Sequence, residues 1–283
     1  MSRVAVVTVA YDSTDALDGF LASVRASDGY ADVDVVVVDN ASSEQAAERA
    51  VAERHGARFV DLPDNRGYGG GVAAGVATLG ADVEYVLVSN PDVEVTPGAI
   101  GTLVEAATRT PDGAVFGPRI IDADGEVYPS ARNLPSIRTG IGHAAFGRMW
   151  PGNPWSVRYK AERDTDRERD AGWLSGACLL VRRDRFAALG GFDEGYFMYF
   201  EDVDLGARVT EAGWANRYVP SAVVTHSGAH STARNVKRME REHHRSAYRF
   251  LSRRYDAWWL APLRLVLRVG LTARARWVTR GQR

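Results

Sequence analysis

The β-branched run Val33-Asp-Val-Val-Val-Val-Asp39 is typical of a strand that is buried on both faces of a parallel sheet. A similar run, Arg3–Val9, precedes it, and Ser13-Thr-Asp-Ala-Leu17 between the two begins a helix with N-cap candidates. The alternation continues with strands predicted over Arg58–Leu62 and Tyr85–Ser89 and helices over Ser43–His55 and Gly70–Leu79. This pattern predicts an α/β fold with a doubly wound, mostly parallel sheet flanked by helices.

The second half of the chain is less regular. A helix predicted over Pro97–Arg109 and a strand over Val115–Ile121 are followed by a long irregular region, Asp122–Asp170. Loops of this length in compact domains are functional lids or solvated insertions, and we interpret this one as a lid. Beyond it, Gly172–Val181 is predicted to be a strand and Arg183–Leu189 a short helix.

Composition narrows the classes of function. The 283 residues include 35 basic and 36 acidic side chains, and a net charge of −1 does not indicate a nucleic-acid partner. The single Cys178 cannot form an intrachain disulfide, which favours a reducing compartment. No segment has the roughly 20 continuous apolar residues of a membrane span, and no signal peptide is evident, so we expect a cytoplasmic protein.

Polar side chains recur where the predicted strands end, which is where doubly wound sheets bind their ligands. Each of these segments combines an acid with an amide or a hydroxyl group. They are Ala10-Tyr-Asp12, Asp39-Asn-Ala-Ser42, Pro63-Asp-Asn-Arg-Gly67 and Asn90-Pro-Asp92. One such segment would be ordinary turn chemistry, but their recurrence at successive strand ends indicates a binding site.

The segment Gly191-Phe-Asp-Glu-Gly-Tyr-Phe-Met-Tyr-Phe-Glu-Asp-Val-Asp-Leu205 is the most informative for chemistry. It sets five carboxylates among aromatic side chains, namely Asp193, Glu194, Glu201, Asp202 and Asp204. Carboxylates are costly to surround with apolar groups unless they pair, bind metal or move protons. The segment therefore predicts the wall of an active site with one acid as general base, and the alternative is a structural carboxylate cluster.

A metal site is suggested by His226, which ends the strand-like run Ala222-Val-Val-Thr-His226. A lone histidine is often structural, but this one stands at a strand end, as Asp92 does. One histidine with one or two carboxylates suits Mg²⁺ or Mn²⁺, with water and phosphate oxygens completing the shell. A closed structural zinc site is excluded by the shortage of cysteine.

Six motifs in order closely resemble those of inverting family-2 glycosyltransferases with the GT-A fold, in particular their bacterial rhamnosyltransferase branch. They are Val36–Ser43, Asp64–Gly71, Ser89–Asp92, Gly172–Ala177, Gly191–Leu205 and His226–Gly228. The resemblance covers about residues 3–230 and implies three parts of the chain. Residues 1–95 would form the nucleotide-sugar-binding half, 96–234 the acceptor and catalytic half of the same domain, and 235–283 a basic amphipathic helical extension.

The resemblance also implies roles for single residues. The nucleotide base and ribose would contact Thr8, Ala10, Tyr11 and Asp39, with Asn65 and Gly67 along the diphosphate. Asp92 and His226 would hold Mg²⁺ or Mn²⁺, although Asn90 replaces the first acid of the family's Asp-x-Asp motif. Substrate would be bound by Trp173, Ser175, Gly176, Asp193 and Glu194. Asp202 would be the catalytic base, with Glu201 as the alternative.

The implied enzyme is a metal-dependent inverting hexosyltransferase of cell-wall or surface-polysaccharide synthesis. The expected donor is dTDP-L-rhamnose, and the acceptor is a saccharide linked to polyprenyl diphosphate. One alternative is a nucleotidyltransferase, but the acidic loop Ala10-Tyr-Asp-Ser-Thr-Asp15 lacks the glycine and basic residues that hold a triphosphate. A second alternative is a non-catalytic, membrane-associated scaffold with an inactive transferase fold.

The C-terminal extension is basic and amphipathic. Lys237–Arg254 reads as a basic helix, and Trp258–Leu271 mixes aromatic, aliphatic and arginine side chains. Such helices lie in membrane interfaces, so we predict a peripheral location on the inner face of the cell membrane. The alternative is a helix packed on the catalytic domain or on a partner, and His243 and His244 are predicted to be solvated.

Overall fold

A ten-stranded mixed sheet lies at the centre of the part of the chain described by the computed structural model, residues 3–30, 32–135, 165–228 and 236–280. The strands are β1 (Val4–Ala10), β2 (Asp34–Asp39), β3 (Arg58–Asp61), β4 (Tyr85–Ser89), β5 (Val93–Val95), β6 (Gly113–Ile121), β7 (Val127–Tyr128), β8 (Ala131–Arg132), β9 (Arg169–Ala171), β10 (Trp173–Leu174), β11 (Cys178–Arg182) and β12 (Ala215–His226). Strands β8 and β10 pair with each other in a separate two-stranded sheet.

The main path of the large sheet runs β3-β2-β1-β4-β11-β6-β12-β5, with β7 beside β6 and β9 beside β12. The four strands of the N-terminal half pair in parallel, as the alternation of strands and helices predicts. Strand β11 is antiparallel to both β4 and β6. The doubly wound α/β prediction is therefore confirmed, with an antiparallel strand inserted at the middle of the sheet.

Helices cover the sheet on both faces. Those described are α1 (Thr14–Arg25), α2 (Gln45–Arg54), α3 (Gly67–Ala77), α4 (Ala99–Arg109), α5 (Arg183–Ala188), α6 (Glu201–Glu211), α7 (Val236–Arg254) and α8 (Ala261–Arg280). A short 3₁₀ turn, Trp258–Leu260, precedes the last helix. Valines of β1 alternate between two apolar clusters, one formed with α1 and α4 and the other formed with α3.

Glycines allow α3 to lie directly on the sheet. A Cβ at Gly71 would come within 2.7 Å of the Val9 side chain, and one at Gly75 within 2.6 Å of Val7. Helix α3 begins at Gly67, three residues before the predicted start, because the loop that leads into it is held by side-chain hydrogen bonds described below. The close approach brings the N-terminus of α3 to the carboxyl ends of β1 and β2.

Two other predictions needed correction or lie outside the described residues. The single strand predicted over Gly172–Val181 is two strands, β10 and β11, separated by Ser175–Ala177. The two strands pair with different partners, β10 with β8 and β11 with β4 and β6, so they belong to separate sheets. Most of the predicted lid, residues 136–164, lies outside the described part of the chain.

The C-terminal helices differ from each other in their surroundings. Helix α7 buries His244, Ser246, Ala247 and Phe250 against the catalytic domain. This packing matches the alternative prediction of a helix packed on the rest of the domain, and His244 is buried where it was predicted to be solvated. Contact of Lys237–Arg254 with a membrane stays a prediction. By contrast, α8 and the turn before it leave large apolar side chains exposed. Within the described residues, neither helix is long and apolar enough to span a bilayer.

Candidate active site

The candidate site lies where the loop after β4 meets the start of β11. The Asn90 N–H donates to the carbonyl oxygen of Ala177 at 2.9 Å. The preceding residue, Gly176, donates its own N–H to Oδ2 of Asp202 at 2.9 Å. One backbone hydrogen bond and one bond to a side chain therefore connect the Asn90–Asp92 loop to the N-terminus of α6 through Gly176 and Ala177.

Asp92 and His226 face each other at one end of this site. Strand β12 pairs with β5 so that His226 lies opposite Val93, the residue after Asp92. His226 Nε2 lies 3.0 Å from Asp92 Oδ1, and Asn90 Nδ2 lies 3.4 Å from the same nitrogen. The side chain of His226 is 22% exposed and that of Asp92 is 17% exposed, so both are accessible to solvent.

This pair has the chemistry of a partial site for a divalent cation. Neighbouring ligands of an octahedral ion at about 2.1 Å would lie about 3.0 Å apart, the separation observed for Asp92 and His226. Among the described residues, no cluster of three or more His, Cys, Asp or Glu side chains could hold an ion. Phosphate oxygens and water would therefore have to complete the shell, as is usual for Mg²⁺ and Mn²⁺.

Asp202 lies at the first turn of α6 and has a well-ordered set of hydrogen bonds. Its Oδ1 accepts from the Val203 N–H at 2.8 Å, while Oδ2 accepts from Gly176. Burial raises the pKa of the Asp202 carboxyl, and the N–H groups of Gly176 and Val203 act against that rise because they stabilise the charged form. The carboxylate is thus fixed in direction and retains lone pairs that can accept a proton.

Glu201 is a less suitable base than Asp202. It is 7% exposed, and its Oε2 atom has no hydrogen-bond partner among the residues described. Burial, and then the charge of Asp202, raise the pKa of Glu201 to about 8. Because burial favours its protonated form, Glu201 is the less suitable proton acceptor, and Asp202 is the candidate base.

Tyr68 at the start of α3 connects the two ends of the site. Its hydroxyl donates to the Gly176 carbonyl oxygen at 2.8 Å, and its N–H donates to the Phe197 carbonyl oxygen at 3.1 Å. Burial raises the pKa of Tyr68, followed by the charges of Glu201, Cys178, Asp202 and Asp92. Tyr68 thus connects the start of α3 to the β10–β11 turn that orients Asp202.

Arg132 is a second residue that the sequence analysis missed. It lies opposite Trp173 in the small β8–β10 sheet, and its guanidinium stacks over the rings of Tyr128 at 5.5 Å and Trp173 at 5.8 Å. Its positive charge is among the causes that lower the pKa of Asp202 against the effect of burial. No signal in the sequence singles it out, because its neighbours are brought to it by strand pairing.

The predicted base and ribose contacts gather at the ends of β1 and β2. Asp39 is fully buried; its Oδ1 accepts from the Ser42 N–H at 3.0 Å and its Oδ2 from Gln45 Nε2 at 3.2 Å. Ala10 lies beside it in the parallel register. The buried hydroxyl of Thr8 lacks a hydrogen-bond partner within the described ranges, and Tyr11 is 37% exposed. These features suit a pocket for a nucleoside.

Asn65 and Gly67 hold the loop before α3. Oδ1 of Asn65 accepts from the Gly67 N–H at 2.9 Å and from Asn40 Nδ2 at 3.1 Å. Gly67 has a φ of +72°, and a Cβ there would overlap the carbonyl oxygen of Phe197. The structure therefore gives this pair a positioning role, whereas their predicted contact with diphosphate stays a prediction.

The predicted substrate residues divide into two groups. Gly176 and Ser175 lie in the turn that contacts Asp202, and the Trp173 indole N–H donates to the Asn133 carbonyl oxygen at 3.1 Å. The Asp193 carboxylate pairs with Arg249 and Arg253 of α7, and its predicted contact with substrate stays a prediction. Glu194 next to it is exposed, and the structure shows no link between its side chain and the site.

Comparisons with known proteins agree with this geometry. The family model for "Glycosyl transferase family 2" matches residues 5–190. The chain is 45% identical to the N-acetylglucosaminyl-diphospho-decaprenol L-rhamnosyltransferase of Mycobacterium tuberculosis, over 97% of this chain and 92% of the relative. It is also 39% identical to the rhamnosyltransferase WbbL of Escherichia coli K12, over 29% of this chain and 31% of that protein.

Solved structures show the same fold at low sequence identity. The mannosyltransferase PcManGT of Pyrobaculum calidifontis, in complex with GDP-Man and Mn²⁺, aligns with a TM-score of 0.63 at 15% identity, over 99% of this chain and 76% of the other. GalNAc-T7 with UDP, GalNAc and Mn²⁺ gives a TM-score of 0.60 at 14% identity, over 96% and 55% of the two chains. The expected GT-A fold is thereby confirmed.

Proposed function

The chain belongs to glycosyl transferase family 2, and from that membership we propose that it is an inverting rhamnosyltransferase. It would transfer L-rhamnose from dTDP-L-rhamnose to a hydroxyl of an N-acetylglucosaminyl-diphospho-polyprenol, in cell-wall or surface-polysaccharide synthesis. The mycobacterial relative, aligned over nearly the whole chain, is named for L-rhamnosyl transfer to such a lipid. Membership of this family favours glycosyl transfer over the alternative of a nucleotidyltransferase.

One observation carries the chemical part of the proposal. The loop that bears Asp92 and the turn that orients Asp202 are joined by the Asn90–Ala177 and Gly176–Asp202 hydrogen bonds. The predicted ion site and the fixed carboxylate are thus connected through the same turn. An inverting transfer needs both at once, since the leaving diphosphate gains charge while the attacking hydroxyl loses its proton.

Different residues would bind the nucleoside, accept the proton and hold the metal ion. Asp39 and the free hydroxyl of Thr8 would bind the pyrimidine nucleoside, with Asp39 accepting from the ring N–H. Asp202 would take the proton of the acceptor hydroxyl as it attacks the anomeric carbon from the face opposite the diphosphate. Mg²⁺ or Mn²⁺ held by Asp92 and His226 would supply Lewis-acid stabilisation of the diphosphate. No second acid is needed, because diphosphate is a good leaving group.

We also propose that the enzyme works on the cytoplasmic side of the membrane and contacts its surface through α8. Exposed apolar side chains support this location: Trp258 is 80% exposed, Trp259 65%, Leu265 62%, Val266 68% and Val269 60%. Arg264 and Arg268 alternate with them along the same segment. Tryptophan and leucine beside arginine suit the boundary between headgroups and acyl chains, where a polyprenyl-linked acceptor presents its saccharide.

A direct assay tests the activity. Purified protein is incubated with dTDP-L-rhamnose, Mg²⁺ or Mn²⁺ and a short-chain N-acetylglucosaminyl-diphospho-polyprenol, and the product is analysed by mass spectrometry and by NMR of the new anomeric centre. We expect one added deoxyhexose with inverted configuration, and loss of product with EDTA. UDP-glucose and dTDP-glucose serve as control donors. Product from a control donor alone would refute the rhamnosyl assignment, and no product from any donor would favour the inactive scaffold.

The membrane contact has its own test. The double variant Trp258→Ser/Trp259→Ser should float less with vesicles that contain anionic lipid, at unchanged thermal stability. The matched control replaces Tyr11 and Tyr128, two other exposed aromatic residues, with Ser. Equal flotation of wild type and the tryptophan variant would contradict the proposed contact.

A further inference from the structure

We infer that helix α7 is a brace for the loop that carries the catalytic base, with Arg249 as a positioning residue for Asp202. The base loop is defined here as residues 193–200, which lead directly into Glu201 and Asp202 at the start of α6. The family model ends at residue 190, so the base loop and the helix that packs on it both lie beyond the matched region. The inference depends on the proposed role of Asp202.

The base loop has a backbone conformation that needs external support. Tyr199 and Phe200 have φ values of 65° and 68°, in the left-handed region. Bulky side chains rarely adopt this region, and such residues persist where surrounding contacts hold them in place. Asp202 follows Phe200 by two residues, so the direction of its carboxylate depends on this strained pair.

Helix α7 supplies ionic contacts to the first part of the base loop. Arg249 Nη2 donates to both carboxylate oxygens of Asp193, at 3.2 and 3.0 Å. The guanidinium also lies over the Tyr196 ring, 5.1 Å from its centroid, in the space that a side chain at Gly195 would occupy. Arg253 makes a second ion pair with Asp193. One carboxylate of the loop is thereby held by two arginines from the same helix.

The same helix holds the strained end of the loop. Ser246 Oγ donates to the Met198 carbonyl oxygen at 2.9 Å. The ring of Phe250 lies 5.8 Å from that of Phe200, and the His243 ring lies 5.5 Å from both Tyr199 and Phe200. Phe250 is 4% exposed and belongs to a small core cluster with residues of the base loop and of α6.

If α7 braces the base loop, its loss should affect the base and the donor site differently. The proposed nucleoside contacts Thr8, Ala10, Tyr11 and Asp39 lie on β1 and β2 or directly after them, whereas α7 packs on the base loop and on α6. Loosening the base loop should therefore misplace the base much more than it weakens donor binding, to which the loop is linked by the contact of Phe197 with Gly67 and Tyr68. If α7 had only a general structural role, its variants would lose donor affinity, transfer rate and stability together.

The first experiment compares two arginines of α7. In Arg249→Gln we expect kcat to fall about 10–100-fold while the dissociation constant of dTDP, measured with Mg²⁺, stays within about twofold, because a small misplacement of a catalytic group has this effect. Arg249→Lys should recover part of the rate. The matched control is Arg245→Gln, whose side chain is 80% exposed and pairs with Glu242 at 3.9 Å; its kcat should equal that of the wild type.

A second variant keeps every charge in place. Gly195→Ala should displace the Arg249 guanidinium from its position over the loop and lower kcat in the same direction. Hydrogen exchange of the amides of residues 196–204 is measured in both variants without substrate, and we expect faster exchange than in the wild type. Normal kcat in both variants, or unchanged exchange, would overturn the brace.

The exchange measurement separates this inference from the proposed function. If Asp202→Asn turned over at the wild-type rate, the base assignment would be wrong, and exchange alone would then decide whether α7 holds the loop. If Asp202→Asn is inactive but Arg249→Gln exchanges and turns over normally, the proposed function stands and the brace is refuted.

Discussion

Gly176 and Asp202 are in direct contact: the Gly176 N–H donates to Asp202 Oδ2 at 2.9 Å, and a Cβ on Gly176 would lie 3.3 Å from Asp202 Cβ. The contact joins the turn between β10 and β11 to the first turn of α6. It fixes the carboxylate of the proposed base without neutralising it, because the donor is an uncharged backbone group. The predictions below start from this arrangement.

Replacing the proposed base should abolish transfer and spare donor binding. In Asp202→Asn we expect the transfer rate to fall by about 10²–10⁴-fold, since general-base catalysis contributes that much. Calorimetric titration with dTDP and Mg²⁺ should give the wild-type affinity. Asp184→Asn, an exposed acid in α5, serves as the control and should be fully active. Wild-type turnover in Asp202→Asn would refute the base assignment.

The buried carboxyl of Glu201 should make stability depend on pH. Its pKa is raised from 4.5 to about 8 in the folded protein. The folded state therefore retains a proton that the unfolded chain releases, so this contribution to stability is complete below about pH 4.5 and is lost as pH rises to about 8. The Tm of Glu201→Gln, relative to wild type, should increase between about pH 5 and pH 8 and level off above it. Parallel Tm curves for the two proteins would contradict the raised pKa.

The metal requirement should respond to residues around Asp92. We expect Asp92→Asn and His226→Ala to raise the Mn²⁺ concentration for half-maximal activity by about tenfold or more, since each removes one protein ligand. Asn90→Asp restores an Asp-x-Asp pattern and should lower that concentration. Asp122→Asn, an acid of an exposed turn, is the control. Equal Mn²⁺ dependence in all four proteins would exclude a metal site at Asp92.

Arg132 should control the pH at which the base becomes active. Its positive charge favours the ionised form of Asp202, so its removal in Arg132→Gln should raise the pKa of that carboxyl. The acidic limb of the kcat/KM profile should therefore move to higher pH. Arg132→Lys retains the charge and should keep the limb near its wild-type position. A profile unchanged in Arg132→Gln would show that this charge does not act on the base.

Gly67 should tolerate no side chain. Its positive φ and the nearby Phe197 carbonyl oxygen make Gly67→Ala destabilising by about 2–5 kcal/mol, from backbone strain and overpacking together. Gly19 in α1 has open space around it, and Gly19→Ala should be neutral or more stable by about 0.5–1 kcal/mol. Chemical denaturation measures both. A stable Gly67→Ala would mean that Phe197 is not held against α3.

Much of the fold could be predicted because its signals are local. The valine runs of β1 and β2 mark strands buried on both faces, and the turn residues after them mark the ligand edge of the sheet. Asp92 and His226 were noticed because they stand at the ends of predicted strands. Asp202 was noticed because it follows an aromatic run. A role in metal binding was predicted for Asp92 and His226 from residue type and position, and the family resemblance implied that Asp202 is the base. Both roles stay predictions.

The contacts between distant segments could not be predicted in the same way. The sequence of β11 contains nothing that specifies an antiparallel place between β4 and β6, because that choice depends on long-range pairing. Arg132 and Tyr68 acquired their roles from neighbours more than 40 residues away in the chain. The amphipathic pattern of α7 likewise revealed an apolar face without revealing what covers it.

The amino-acid sequence on its own therefore determined the sheet-and-helix class, the family resemblance and the identity of the acids and the histidine at the site. The tertiary structure added the features that favour Asp202 over Glu201 as the proposed base, since the raised pKa of Glu201 and the hydrogen bonds of Asp202 arise from burial and from Gly176. It also decided that α7 packs on the base loop. Local propensity depends on residues that are neighbours in the sequence, whereas burial and electrostatic environment arise only when distant segments pack together.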